Sequence, residues 1–179
     1  ATPTALCPAV PVACRTPIVP GRASVLIDDR LDDAKDQLQF KWTRGAATTW
    51  AELGDPQTTD AYDLCVYDDG GLRAAHAIPA GGTCKGTPCW RPRPNGYVYR
   101  DSSGAVQGIT RVDLVSGIDG KAQVRAKGKG DPLPLPAPAS VVSPLTVQLR
   151  NRTNGVCFGA SFTAPFDTAT ATKLKDRAD

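Results

Sequence analysis

The sequence contains no methionine and a single histidine, His76. A Ser-His-Asp or Cys-His mechanism would have to run through that one imidazole. It sits in LRAAHAI, in step with Leu72, Ala74 and Ile78, the pattern of a half-buried strand histidine. No serine is framed as G-x-S-x-G. With no acid, base or nucleophile assignable, the chain reads as a non-enzyme. No apolar run approaches the roughly 18 residues a bilayer crossing needs, so no membrane span is expected. Sustained i, i+3, i+4 periodicity is missing too, which argues against packed amphipathic helices. Charge excess of one sign is small: 21 Lys and Arg stand against 18 Asp and Glu. A net +3 does not make nucleic acid an expected partner.

What is present belongs to a globular chain. Its 179 residues suffice for one core, and 41% hydrophobic against 22% charged residues is ordinary for a folded domain. From a start at Ala-Thr-Pro-Thr-Ala without Met, removal of a signal peptide is the expectation. Six cysteines, Cys7, Cys14, Cys65, Cys84, Cys89 and Cys157, are spaced as C-x6-C and C-x4-C pairs without accompanying histidines. Zinc sites join a C-x2-4-C pair to further Cys or His at a matching interval, and the only His is His76, so disulfides and an oxidising, extracellular or cell-surface location are expected. Six cysteines allow 15 pairings, which the sequence does not decide among; the expected set is Cys7–Cys14, Cys65–Cys157 and Cys84–Cys89. Loop closure assigns about 4.7 kcal/mol to the long bridge and about 2 kcal/mol to the short one.

Residues 1–20 carry five prolines and read as an extended arm. Residues 21–179 form the domain. Ser24–Ile27 is a short β-branched strand, followed by DDRLDDAKD, a loop or one frayed turn. From Gln37 to Trp42 the residues alternate, with Leu38, Phe40 and Trp42 on one face. AYDLCVYDD ends at Asp69-Gly70-Gly71, and residues 72–78 are its hairpin partner. Tyr97–Tyr99 follows a Gly/Pro-dense loop. Ile109–Val115 and Ala122–Ala126 flank a hairpin loop, and DPLPLPAPASVVSP reads as a crossing between sheets. Alternation returns at 145–150 and 156–162, whereas TATATKLKDRAD reads as a fraying tail. Eight or nine short strands between turns predict an all-β, antiparallel β-sandwich, jelly-roll or immunoglobulin-like.

From Phe40 onward, KWTRGAATT, GDP and YDLCVYDDGG are followed by the Cys84/Cys89-Trp90 loop and GYVYRD, then GITRVDLVSGIDGKAQVRAKGKG, VQLRN and CFGASF. This order resembles an uncharacterised domain of secreted proteins from environmental bacteria. The resemblance implies secretion and a β fold, and transfers no site residues. Residues 1–39 match less clearly.

Candidate sites follow from residue type. Trp90, Tyr97 and Tyr99 are candidate glycan contacts, since an aromatic ring packs on the apolar face of a sugar; core packing is the commoner role. Asp28, Asp29, Asp32, Asp33 and Asp36, with Asp68 and Asp69, could supply oxygens to a structural calcium, although no EF-hand spacing is present. Otherwise no cofactor or metal is expected. Lys121, Arg125, Lys127 and Lys129 give one hairpin arm a basic face. That face suits an anionic surface polysaccharide or, more simply, protects a sheet edge through its lysines. Asn151-Arg152-Thr153 is a glycosylation sequon. Pro8, Val10, Pro11, Val12, Ile18 and Val19 of the arm could add to a neighbouring copy, and head-to-tail contacts of that kind build filaments. The expected function is a self-assembling extracellular structural subunit of a filament or surface layer. The alternative is a secreted carbohydrate- or calcium-binding module without catalytic activity.

Overall fold

The computed structural model describes residues 6–179, and residues 1–5 of the expected arm lie outside the described part. Its strands are β1 (Ala23–Asp28), β2 (Gln37–Gly45), β3 (Tyr62–Asp68), β4 (Gly71–Ile78), β5 (Thr83–Cys84), β6 (Thr87–Pro88) and β7 (Trp90–Arg93). They continue as β8 (Gly96–Arg100), β9 (Ile109–Val115), β10 (Ala122–Lys129), β11 (Leu145–Asn151), β12 (Cys157–Phe162), β13 (Thr168–Ala169) and β14 (Lys173–Arg177). Helical structure among the described residues is confined to single 3-10 turns at Asp33–Lys35, Ala51–Leu53 and Pro138–Ser140. The protein is therefore all-β. Among the described residues one sheet has eight strands in the order β13-β14-β1-β2-β10-β9-β8-β7, a smaller one has four in the order β12-β11-β3-β4, and β5 and β6 pair as a separate two-stranded ribbon. All neighbours within them are antiparallel.

Period-two patterning builds the core. Val25 and Ile27 of β1, Leu38, Phe40 and Trp42 of β2, and Val124 and Ala126 of β10 lie in one buried cluster. Leu64 and Val66 of β3, Val147 of β11 and Phe158 of β12 belong to the same cluster. Residues of both sheets thus share a single core, and the Trp42 and Phe158 rings meet edge-on with centroids 5.1 Å apart. The Pro-rich connection after β10 leads from the larger sheet to β11 of the smaller one, as its composition suggests.

The polar tail is a correction to the sequence reading. Residues 173–177 form β14, paired along β1 from Asp28↔Lys173 to Ser24↔Arg177. KLKDR offers only one apolar side chain, Leu174, yet that side chain is buried in the core. An open edge of β1, with unpaired backbone groups, binds a weakly patterned strand through main-chain hydrogen bonds.

Two cystine pairings also differ from expectation. Cys7 bonds Cys65 and Cys14 bonds Cys157, while Cys84 bonds Cys89. Cys7 and Cys14 do not pair because the N-terminal segment does not fold on itself. It crosses the outer face of the smaller sheet from β3 over β11 to β12. The Tyr67 hydroxyl donates to the Pro8 carbonyl at 2.9 Å. Gln148 grips Val12 by accepting its N–H at 3.2 Å and donating to its carbonyl at 2.7 Å. Arg15 N–H donates to Cys157 O, and Gly159 N–H donates to Arg15 O. Each of these two cystines therefore fastens the segment to a strand that it crosses. A small second cluster of Cys7, Cys65 and Tyr67, with Leu6 and Ala75 against it, forms under this strap.

Candidate functional site

With the smaller sheet covered outside, the outer face of the larger sheet is the open surface. Its register aligns cations in ranks across the strands. One rank runs Arg177, Ser24, Lys41, Arg125, Asp113 from β14 to β9. The next runs Lys175, Leu26, Gln39, Lys127, Arg111, and a third runs Lys173, Asp28, Gln37, Lys129. Facing residues alternate with core residues on every one of these strands, so all three ranks point away from the core.

Both acids on this face are engaged. Asp113 accepts the Arg111 guanidinium at 2.8 and 2.9 Å, and Asp28 accepts that of Arg30 at 2.8 and 3.0 Å. Lys41, Arg125, Lys127, Lys129, Lys173 and Lys175 form no ion pair among the described residues. Lys41 and Arg125 stand directly opposite one another. Like charges so placed oppose folding. The edge-protection reading of the lysines is corrected here, because β10 lies between β2 and β9, in the middle of the sheet. There is no edge for them to guard. Gln37, Gln39, Gln123, Ser24 and Thr43 interleave with the cations and supply neutral hydrogen-bonding groups.

At one end of the face, β2 and β10 lose their regular register between Ala122 and Val124, and Arg44 adopts a φ of 52°. Bulges re-aim side chains. Here they open a cleft of about 370 Å³ lined by Arg22, Thr43, Arg44, Gly120, Lys121 and Gln123. A smaller hollow of about 170 Å³, which includes Arg111, Asp113 and Arg125, adjoins it through Thr43 and Gln123.

The other candidates are placed elsewhere. Trp90, Tyr97 and Tyr99 are buried and stack among themselves and their neighbours: Trp90 lies 5.3 Å from Tyr99, and its indole N–H donates to Pro79 O. They face the core because β7 and β8 turn their aromatic side inward, which corrects their reading as open glycan contacts. Trp50 is the half-exposed indole, held by an N–H bond to the Tyr97 hydroxyl at 3.1 Å.

His76 is fully buried between the carbonyls of Leu64 at 3.3 Å and Pro134 at 2.7 Å. Burial lowers its pKa below the usual histidine value. The Asp clusters do not converge, since Asp36 accepts the Arg30 N–H and Asp68 caps Gly70, Val142 and Arg73. No group of three or more His, Cys, Asp or Glu side chains converges on a metal position among the described residues. The sequon residue Asn151 is buried, with its amide donating to Asp60 at 2.9 Å, so it presents no acceptor for a glycan.

Pro8, Val10, Pro11, Val12, Ile18 and Val19 belong to the strap and its exit. Val10 and Ile18 are more than half exposed, at 64% and 51%. Sequence reasoning missed the cleft, whose Arg22 and Arg44 lie outside the hairpin that drew attention to Lys121. No protein-family model, curated protein or solved structure matches the chain.

Proposed function

We propose that this protein is a non-catalytic, extracellular β-sandwich module that holds an acidic polysaccharide on the basic face of its larger sheet. The observation that carries this reading is the placement of unpaired cations on central strands, where they protect no edge. Repulsion between Lys41 and Arg125 is relieved by an anion lying across them. Three disulfides fit an oxidising surrounding. The face carries no aromatic side chain on β14, β1, β2, β10 or β9, so it lacks the stacking platform of single-stranded nucleic-acid binders. Interleaved Gln, Ser and Thr side chains suit sugar hydroxyls. A sugar ring is comparable in length to the ~4.8 Å between strands, so successive carboxylates can meet successive strands.

The test is retention on immobilised polyuronate against a neutral glucan at low salt. Retention on the polyuronate that is lost in salt, and lost in the Arg125→Glu/Lys127→Glu variant, supports the proposal. Equal behaviour on both matrices sinks it.

A second reading keeps the structural subunit. Although two disulfides fasten the strap to its own domain, Val10, Val12, Ile18 and Val19 turn apolar side chains outward. Contact between copies would bury them. Particle mass by light scattering, with and without Val10→Ser/Ile18→Ser, separates the readings: assembly that the substitutions abolish favours the subunit.

A further inference from the structure

Three cationic side chains border the cleft at the end of the basic face, and no carboxylate lines it. Arg22, Arg44 and Lys121 form no ion pair among the described residues. The nearest acid in sequence, Asp119, turns aside to accept the Ala47 N–H at 2.8 Å. Arg22 also borders a neighbouring groove with Asp179, whose carboxylate is taken by the Thr163 hydroxyl.

Hydrogen bonds fix the walls. Thr43 donates both its N–H and its hydroxyl to Arg22 O at 2.9 Å, and Gly120 N–H donates to Gly45 O at 2.8 Å. These bonds tie the three segments that carry the cations to one another. Arg44 holds a left-handed conformation that costs free energy for a residue with a Cβ, and this conformation takes its side chain out of the strand's alternation. Gln123, exposed at the rim, adds an amide.

We propose that this cleft is an oxyanion subsite, which takes a single carboxylate or sulfate of the acidic polysaccharide while the flat face holds the following units. This inference rests on the polysaccharide reading and adds to it a specific anchor. The flat ranks attract any polyanion. A concave site with two guanidinium groups instead recognises the planar, two-oxygen edge of one group. The subsite sets the end of the bound polymer, and the ranks set its direction across the strands.

Inorganic sulfate and a uronic acid monosaccharide serve as small probes, followed by amide shifts in heteronuclear NMR spectra, with polyuronate retention measured on the same proteins. In the unaltered chain, either probe should shift Thr43, Gly45, Gly120 and Gln123 saturably, and leave the middle of β10 unmoved. Arg44→Gln and Lys121→Gln should each weaken the probe roughly tenfold, as expected for loss of one charge-assisted hydrogen bond. Arg125→Gln/Lys127→Gln should leave probe binding unchanged and weaken only the polymer. Both cleft variants replace exposed side chains, and their melting temperatures check that folding is intact.

If Arg44→Gln and Lys121→Gln leave probe and polymer binding intact while the β10 variant weakens the polymer, the subsite is refuted and the polysaccharide reading stands. If no variant changes polymer retention, the face itself is not the binding surface. Sulfate binding without uronate binding would restrict the site to sulfated sugars.

Discussion

Removing the Cys14–Cys157 bridge should cost far more than removing Cys84–Cys89, although both join two cysteines of one chain. The bridges span 143 and 5 residues. With Cys7–Cys65 intact, the shortest covalent ring closed by Cys14–Cys157 still holds about 100 residues, for which loop closure contributes about 4.7 kcal/mol. The short ring contributes about 2 kcal/mol. For a chain of this size each kcal/mol moves the melting temperature by about 2–4 °C. Cys14→Ala/Cys157→Ala should therefore melt about 10–20 °C lower, and Cys84→Ala/Cys89→Ala about 4–8 °C lower. The first change also frees the strap at β12, where Arg15 pairs with Cys157 and Gly159. Calorimetry of the two variants and the unaltered protein, all unreduced, measures the difference. Equal shifts, or a larger shift for the short bridge, would refute the assignment of stability to strap closure.

Other outcomes follow from single residues. His76 is buried with a lowered pKa, so as pH falls the unfolded chain takes up its proton first. The stability it supports is complete above the unfolded value of ~6.5 and declines below it by ~1.4 kcal/mol per pH unit. Urea melts at pH 7.5 and 5.5 should show this decline in the native chain and not in His76→Gln; equal declines would exonerate the histidine. Arg152 donates two bonds to the fully buried Asp63, at 2.5 and 3.0 Å, so Arg152→Met should destabilise by about 3 kcal/mol. A loss under 1 kcal/mol on the same urea assay would show, by that measure, that water replaces the guanidinium (~1 kcal/mol is the exposed-pair value). A Cβ on Gly45 would sit 1.9 Å from the Trp42 ring, so Gly45→Ala should displace the indole and shift its fluorescence; an unchanged spectrum contradicts that packing.

Strands with clean period-two alternation were legible from the order of residues. Leu38, Phe40 and Trp42 point inward with Gln37, Gln39 and Lys41 outward, as the pattern requires. β14 was not legible, because Lys173–Arg177 contributes one apolar residue and is held by backbone pairing with β1. Cystine pairing depended on where the N-terminal segment crosses the smaller sheet, and nothing local to Cys7 or Cys14 encodes that path. The basic face was visible on β10 as alternate cations. Its meaning came from strand order, since the same lysines guard an edge if β10 is outermost and crowd one another if it is central. The cleft needed three segments, carrying Arg22, Arg44 and Lys121, that the pairing of β1 with β2 and the bulged pairing of β2 with β10 bring together.

The most direct test of the polysaccharide reading is an amide-resolved NMR titration of the native protein with a short polyuronate. Shifts should follow β14, β2, β10 and β9 on their outward residues, centred on Lys41, Arg125 and Lys127, and should reverse on addition of salt. Shifts confined to the strap and β3, or none at all, would contradict that reading.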